Sequence, residues 1–147
     1  MIRRRNASLD DTVILRLIAD ELVPYSRVSN PNVSFSLKSL QHRLKRNVTF
    51  VAAKGNAKPY GFVSTISKNR ILFIDMLAVG SRWQGRGWGK ALMEEAERYG
   101  KSKGCKSAQL FVDEGNPKAI GFYRGKGYAP VQYMAQIKCY LMKKPLT

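Results

Sequence analysis

Three glycines occupy alternate positions in residues 84–90, Gln-Gly-Arg-Gly-Trp-Gly-Lys. The apolar segment 71–79 precedes them, and the apolar residues of segment 88–103 recur at the spacing of one helix face. A strand that ends in a glycine-rich turn and leads into a helix is a common phosphate site. The glycines let backbone N–H groups approach the anion, and the helix N-terminus adds the positive end of its dipole. The sequence therefore predicts a site for a phosphorylated ligand.

Two familiar glycine-rich signatures do not fit this run. A P-loop would need glycine where Gln84 stands and a serine or threonine where Ala91 stands. The dinucleotide-binding pattern fails in both frames, because Lys90 or Leu92 takes the place of its third glycine. We therefore do not expect a nucleoside triphosphate or a nicotinamide dinucleotide as the ligand.

The run resembles the Gln/Arg-x-x-Gly-x-Gly/Ala element of the GNAT superfamily of N-acetyltransferases. Gln84, Gly87 and Gly89 fill its three fixed positions. The resemblance implies acetyl-CoA as co-substrate, with its pyrophosphate held by the loop amides. The residues assigned to this contact are Gln84, Gly85, Arg86, Gly87, Trp88, Gly89 and Lys90.

A second segment, residues 116–128, resembles the family pattern Asn-x-x-Ala-x-x-Phe-Tyr-x-x-x-Gly-Phe and departs from it only at Tyr128. By residue type the segment predicts a short helix, with Asn116 as N-cap, Pro117 in the first turn and Gly127 after its end. Asn116 can serve as a cap alone. The resemblance implies that it also contacts the pantetheine arm of the cofactor.

An amine that attacks a thioester needs to be neutral, and the departing thiolate needs a proton donor. The family's Phe-Tyr pair places Tyr123 beside the cofactor sulfur, so Tyr123 is the candidate donor. A phenol has an ordinary pKa of about 10 and is protonated at neutral pH. The alternative is a core tyrosine whose hydroxyl is satisfied by the protein.

Asp75 lies inside the apolar segment 71–79, where a carboxylate is costly unless it is paired or has a task. Several family members carry an acidic residue near this position that deprotonates the amine, so Asp75 is the candidate base. The alternative, a structural pair with a Lys or Arg side chain, stays open. The resemblance further implies main-chain pairing of Leu77, Ala78 and Val79 with the amide-bearing arm of the cofactor.

The 147 residues suit one domain, 1–147, without linker or repeat. Residue patterns predict the order β-α-α-β-β-β-α-β-α-β-β, an α/β architecture. The predicted strands are 2–6, 48–53, 61–66, 71–79, 107–112, 128–133 and 136–142, the helices begin at about Ser8, Ser36, Trp88 and Asn116, and 24–31 is a loop. The resemblance covers nearly the whole chain and implies a mixed, mostly antiparallel twisted sheet of about seven strands flanked by about four helices.

The amino-acid composition argues against membrane, disulfide-rich and metal-binding classes of protein. The chain has no run of 18 apolar residues and no secretory leader pattern, so we expect no membrane span and a cytoplasmic location. Two cysteines and one histidine predict neither a disulfide framework nor a metal site. The formal net charge of +16 is the most unusual bulk property.

The high positive charge affects which ligands and acceptors the protein is expected to bind. Coenzyme A is anionic and suits the cations around the loop, whereas a polycationic surface repels polyamines. We therefore expect the acceptor to be a small molecule with a primary amine or a protein N-terminus, attacking directly in a ternary complex. The different-class alternative is a catalytically weak CoA-binding or nucleic-acid-associated or ribosome-associated module that uses its +16 charge. A homodimer is possible by family resemblance, although no interface can be named.

Overall fold

The computed structural model describes residues 1–32 and 35–146. Seven strands form one sheet in the order β1-β2-β3-β4-β5-β7-β6. The elements along the chain are β1 Ile2–Arg4, α1 Ala7–Leu17, a π-helical turn Ile18–Leu22, α2 Val23–Ser29, α3 Leu37–Arg46, β2 Val48–Ala52, β3 Gly61–Lys68, β4 Ile71–Val79, a 3-10 turn Ser81–Trp83, α4 Trp88–Ser102, β5 Ser107–Asp113, α5 Pro117–Gly125, β6 Ala129–Met134 and β7 Cys139–Pro145.

The predicted fold class is confirmed. All neighbouring strands pair antiparallel except β4 and β5, which are parallel, so the sheet is mixed and mostly antiparallel. Because α1, the π-helical turn and α2 follow one another without a break, four helical segments flank the sheet over the described residues. Within residues 1–32 and 35–146, no helix combines the length and the apolar character needed to cross a membrane.

The prediction of a loop over residues 24–31 is wrong, since Val23–Ser29 forms α2. Pro24 lies in the first turn of this helix, where a missing N–H leaves no hydrogen bond unmade. The π-helical turn before it is closed by the N–H of Val23, which donates to the carbonyl of Ile18 five residues back. The proline therefore starts a new helical turn instead of ending the helix.

The hydrophobic core lies on both faces of the sheet. Leu72 and Leu110 of the central strands pack with Leu92 and Met93 of α4 on one face. On the other face α1 and α3 bury side chains such as Ile14 and Leu44 against the sheet. In β4 buried residues alternate with half-buried ones, so its apolar character follows from its place between the helices that cover the two faces of the sheet.

Two ion pairs attach the first helix to the first strand. Asp10 is fully buried and accepts from both terminal nitrogens of Arg3, at 2.7 and 2.8 Å, and from the backbone N–H of Asn6 at 2.8 Å. Burial alone would raise the pKa of Asp10, but the hydrogen bonds and the charge of Arg3 outweigh it and leave that pKa below 3.8. Arg5 and Asp11 form a second, more exposed pair, with Nη2 at 2.7 Å from Oδ2.

We expect Asp10→Asn to lower the free energy of unfolding at neutral pH by about 3 kcal/mol, because it leaves the Arg3 charge without its partner. Since the folded-state pKa of Asp10 is depressed, its contribution is complete above the unfolded value near 3.8 and disappears as pH falls through the folded value. Urea unfolding of variant and wild type between neutral and acid pH measures this, and the difference should shrink on acidification.

Asp11→Asn is the matched control, since it removes the same charge from the more exposed pair and should cost about 1 kcal/mol or less. The role given to the Asp10–Arg3 pair would be contradicted if both variants lost the same free energy of unfolding. It would also be contradicted if the loss in Asp10→Asn stayed constant down to strong acid.

Candidate functional site

The strands β4 and β5 diverge and leave an opening in the middle of the sheet. Parallel pairing joins only residues 71–74 of β4 to residues 107–110 of β5. Beyond these, β4 continues along β3 as far as Val79, and β5 continues along β7 as far as Asp113. Over the described residues, the β5-facing main-chain edge of 75–79 therefore has no strand partner. The Val79 carbonyl accepts from Gln84, and the other N–H and C=O groups of this edge are available to a ligand.

One extra residue in β4 changes which side chains face this opening. The pairing of β3 with β4 shifts at Asp75, which stands between Ile74 and Met76 as a β-bulge. Ile74 packs in the core on the α4 side, whereas Met76 packs in the core on the α1 side, and Leu77 returns to the α4 side. A bulge therefore re-aims the second half of the strand at the point where the pairing with β5 ends.

The glycine-rich loop runs from the end of β4 into the N-terminus of α4. Gly85 and Gly87 have φ of +76° and +86°, in the left-handed region that favours glycine. Gly87 is the N-cap of α4 and has no side chain to accept from the first-turn amides, which leaves them for an anion. A Cβ on Gly89 would lie 3.2 Å from Cζ of Phe122, so the absence of a side chain lets α4 approach α5 closely.

Gln84 ties three elements together at the mouth of the opening. Its Nε2 donates to the carbonyl of Val79 at 2.8 Å and to Oε2 of Glu21 at 3.1 Å. Its Oε1 accepts from Nζ of Lys118 at 3.3 Å. The glutamine therefore links the end of β4, the π-helical turn and α5, which explains why an amide side chain suits this position.

A cavity of about 740 Å³ lies in the opening between the diverging strands. Of the residues predicted from the sequence, Arg86 alone stands outside its lining, with its guanidinium carbon 5.1 Å from the ring centroid of Trp83. The predicted residues that line it are Asp75, Leu77, Ala78, Val79, Gln84, Gly85, Gly87, Trp88, Gly89, Lys90, Asn116 and Tyr123. Two sequence segments that are distant from each other in the chain thus meet in one cavity.

Helix α5 contributes Asn116 and Tyr123 to the cavity. Asn116 is the N-cap, as predicted, and its Oδ1 accepts from the N–H of Ala119 at 3.2 Å. The hydroxyl of Tyr123 forms no hydrogen bond with the described residues, and burial raises its pKa well above the ordinary 10. Tyr123 thus lines the cavity, and its hydroxyl has no hydrogen-bond partner among the described residues.

Asp75 is held by three donors at the floor of the cavity. Arg43 of α3 approaches it with two nitrogens, Nη2 at 2.7 Å from Oδ1 and Nε at 3.2 Å from Oδ2. Nδ2 of Asn47 donates to Oδ2 at 2.8 Å and to Oγ of Ser64 at 2.9 Å. The ion pair that was one of the two sequence-based alternatives is therefore present, and the same carboxylate lines the cavity.

Sequence reasoning assigned no site residue on the helical wall of the cavity. Glu21, Tyr25, Phe35 and Arg43 line it, and they come from the π-helical turn, α2, the segment before α3 and α3. These helices show only amphipathic spacing in the sequence, which reports the core-facing side chains but not which others border a cavity. The parts of the chain that the structure describes contain no group of three or more His, Cys, Asp and Glu side chains that could hold a metal ion.

Comparison with known proteins places this geometry in a family. The model of the Acetyltransferase (GNAT) family matches residues 15–128, so the chain belongs to that family and the resemblance read from the two motifs is confirmed. An uncharacterized N-acetyltransferase of Methanocaldococcus jannaschii is 35% identical over 86 residues, which are 54% of this chain. The matched part is 38% of that relative, so the similarity spans well under half of its length.

Solved structures share the fold over the whole chain. Ard1 from Thermoplasma volcanium superimposes with a TM-score of 0.80 at 18% identity, covering 100% of this chain and 97% of that one. PaiA N-acetyltransferase from Thermoplasma acidophilum, solved in complex with coenzyme A, gives a TM-score of 0.73 at 19% identity and covers 99% of both chains. At these identities the two likenesses establish the fold alone.

Proposed function

We propose that this protein is an acetyl-CoA-dependent N-acetyltransferase that moves an acetyl group to a primary amine by direct attack in a ternary complex. The observation that carries the proposal is the free main-chain edge of residues 75–79 beside the N-terminus of α4. An extended amide-bearing ligand with a phosphate group at one end matches both features, because strand edges pair with amides and helix N-termini bind anions.

The residues present fit coenzyme A. The main chain of Leu77, Ala78 and Val79 would pair with the amide-bearing arm, and the amides of residues 84–90 would hold the pyrophosphate. Lys90, exposed in the first turn of α4, adds positive charge at that end. Oδ1 of Asn116 is used by its helix, so its Nδ2 remains as a donor to a carbonyl of the arm. When bound, acetyl-CoA supplies an activated acetyl group as a thioester.

Tyr123 is the proposed proton donor to the leaving sulfur. Tyr123 lines the cavity, its phenol stays protonated at neutral pH, and its hydroxyl has no partner among the described residues, as such a donor requires. Asp75 is the proposed base for the incoming amine, acting from the floor of the cavity with its position fixed by Arg43. The acceptor, a small-molecule amine or a protein N-terminus, would enter along the wall formed by Glu21, Tyr25 and Phe35.

Acetyl-CoA at about 100 times its Kd should raise the melting temperature of the wild type by several degrees, since a ligand of the native state then adds about 2.7 kcal/mol. In Gly87→Glu the shift should vanish, because a carboxylate would stand at the proposed pyrophosphate position. A thermal melt with and without acetyl-CoA measures both.

Gly104→Glu is the matched control for that melt. Gly104 follows the other end of α4, has a φ of +79° and has open space around it, so the substitution introduces similar backbone strain and the same charge. Its acetyl-CoA shift should equal that of the wild type. A shift that persists in Gly87→Glu, or is lost equally in both variants, would refute the loop assignment.

Tyr123→Phe should lower kcat about a hundredfold while the acetyl-CoA shift is retained, because only the proton donor is removed. The control is Tyr128→Phe, since Tyr128 does not line the cavity. Its hydroxyl donates to Glu97 at 2.9 Å. This control should lose stability but keep its kcat. Steady-state kinetics with a panel of primary amines tests the pair, and an unchanged kcat in Tyr123→Phe would remove Tyr123 from the mechanism.

Asp75→Asn and Arg43→Gln separate the two roles of the carboxylate. If Asp75 is the base, Asp75→Asn should lower kcat about a hundredfold, whereas Arg43→Gln keeps the carboxylate and should lose less than about tenfold. Both variants break the same ion pair, so their melting temperatures provide the structural comparison. Equal losses of kcat would mean that Asp75 serves the ion pair only.

A further inference from the structure

A group of basic side chains, here called the basic end, lies at the end of α4 remote from the glycine-rich loop. Its exposed members are Arg4, Lys68, Arg70, Lys101, Lys103 and Lys106. They come from the end of β1, from the end of β3 and the turn after it, and from the last turn of α4 and its connection to β5. Three separate parts of the sequence therefore contribute to one positively charged surface.

Backbone contacts hold these parts together. The N–H of Lys106 donates to the carbonyl of Arg70 at 2.8 Å, which joins the β3–β4 turn to the segment after α4. The N–H of Gly104 donates to the carbonyl of Lys101 at 3.0 Å and turns the chain back toward the sheet. Arg4 and Lys103 both lie over the ring of Tyr99, at 5.3 and 5.8 Å from its centroid.

None of the side chains of the basic end has an ion-pair partner among residues 1–32 and 35–146. Six Lys and Arg side chains have a carboxylate within 4 Å among the described residues, and none of these six belongs to the basic end. The dipole of α4 favours cations near its C-terminus, which accounts for Lys101 and Lys103. It does not account for Lys68 and Arg70, which lie on a different turn.

We propose that the basic end binds the phosphate backbone of a nucleic acid. Several unneutralised cations within one surface attract a chain of regularly spaced negative charges, and releasing its counterions favours the complex. An anionic membrane would also attract them, but membrane-binding surfaces place exposed apolar side chains among their cations. Over the described residues, no exposed large hydrophobic side chain lies in the segments 66–72 or 99–107 that form most of the basic end.

The site is separate from the cavity. None of the six side chains of the basic end belongs to the cavity lining, and α4 has 15 residues between the loop and the basic end, which is about 22 Å of helix. Nucleic-acid binding would thus leave the acetyl-CoA site open. This surface uses charges for which the acetyltransferase reaction has no need.

The test is fluorescence anisotropy with a labelled single-stranded RNA of about 16 nucleotides, and with DNA of the same sequence, over a range of salt concentrations. Six phosphate contacts predict that log K falls with log salt at a slope of about −4. The triple variant Lys68→Gln, Lys101→Gln and Lys106→Gln should bind at least tenfold more weakly at about 50 mM salt, with the slope smaller by about 2.

The control triple variant Lys38→Gln, Lys54→Gln and Lys58→Gln removes the same charge from exposed positions outside the basic end and should keep the wild-type slope. Melting temperatures and acetyl-CoA shifts near those of the wild type should confirm that both variants are folded. Equal weakening in both triple variants would show a diffuse charge effect and overturn the proposal. The proposal would also be overturned if the wild type bound neither oligonucleotide at low salt. The same holds if the wild type sedimented with phosphatidylserine vesicles but did not bind the oligonucleotides.

Discussion

The early end of the parallel pairing between β4 and β5 is the constraint on which the rest of the site depends. Each strand is held by its other neighbour, β4 by β3 and β5 by β7, so the two separate without either losing its place in the sheet. Unpaired backbone groups inside a domain are costly unless something hydrogen-bonds to them. Among the described residues, the opening therefore leaves the main chain of 75–79 without a strand partner on its β5 side, and the proposed pairing with a ligand depends on this edge.

The other parts of the site are arranged around this opening. The bulge at Asp75 turns that carboxylate toward Arg43 while Leu77 faces the α4 side. Gln84 hydrogen-bonds the end of β4 at the entrance of the cavity. The absence of a side chain at Gly89 allows α4 to lie against Phe122 of α5. The loop side of the cavity thus combines glycine backbone with the large side chains of Trp88 and Phe122, whereas α2 and α3 contribute the side chains of Tyr25 and Arg43.

The two motifs could be read from the sequence because their physical requirements are local. Positive φ at Gly85 and Gly87, the Asn116 cap and the left-handed Gly127 are each determined within a few residues. The pairing of Asp75 with Arg43 joins positions 32 residues apart and has no local signal, so only an open choice between base and ion pair could be stated. The helix Val23–Ser29 was missed because two prolines and several polar residues favour a loop, whereas Pro24 fits the first turn of a helix that continues directly from the π-helical turn.

The π-helical turn Ile18–Leu22 gives the helical wall of the cavity an orientation of its own. It contains one more residue per hydrogen bond than an α-helix, and each residue of a helix corresponds to about 100° of rotation. The turn therefore sets the direction in which Tyr25 and Ser26 of α2 point relative to α1, which stays packed on the sheet. Adding or removing one residue in this turn would rotate α2 relative to α1 by about 100°. A single insertion or deletion in this turn would therefore change the shape of the helical wall while the strand opening and the glycine-rich loop stayed as they are.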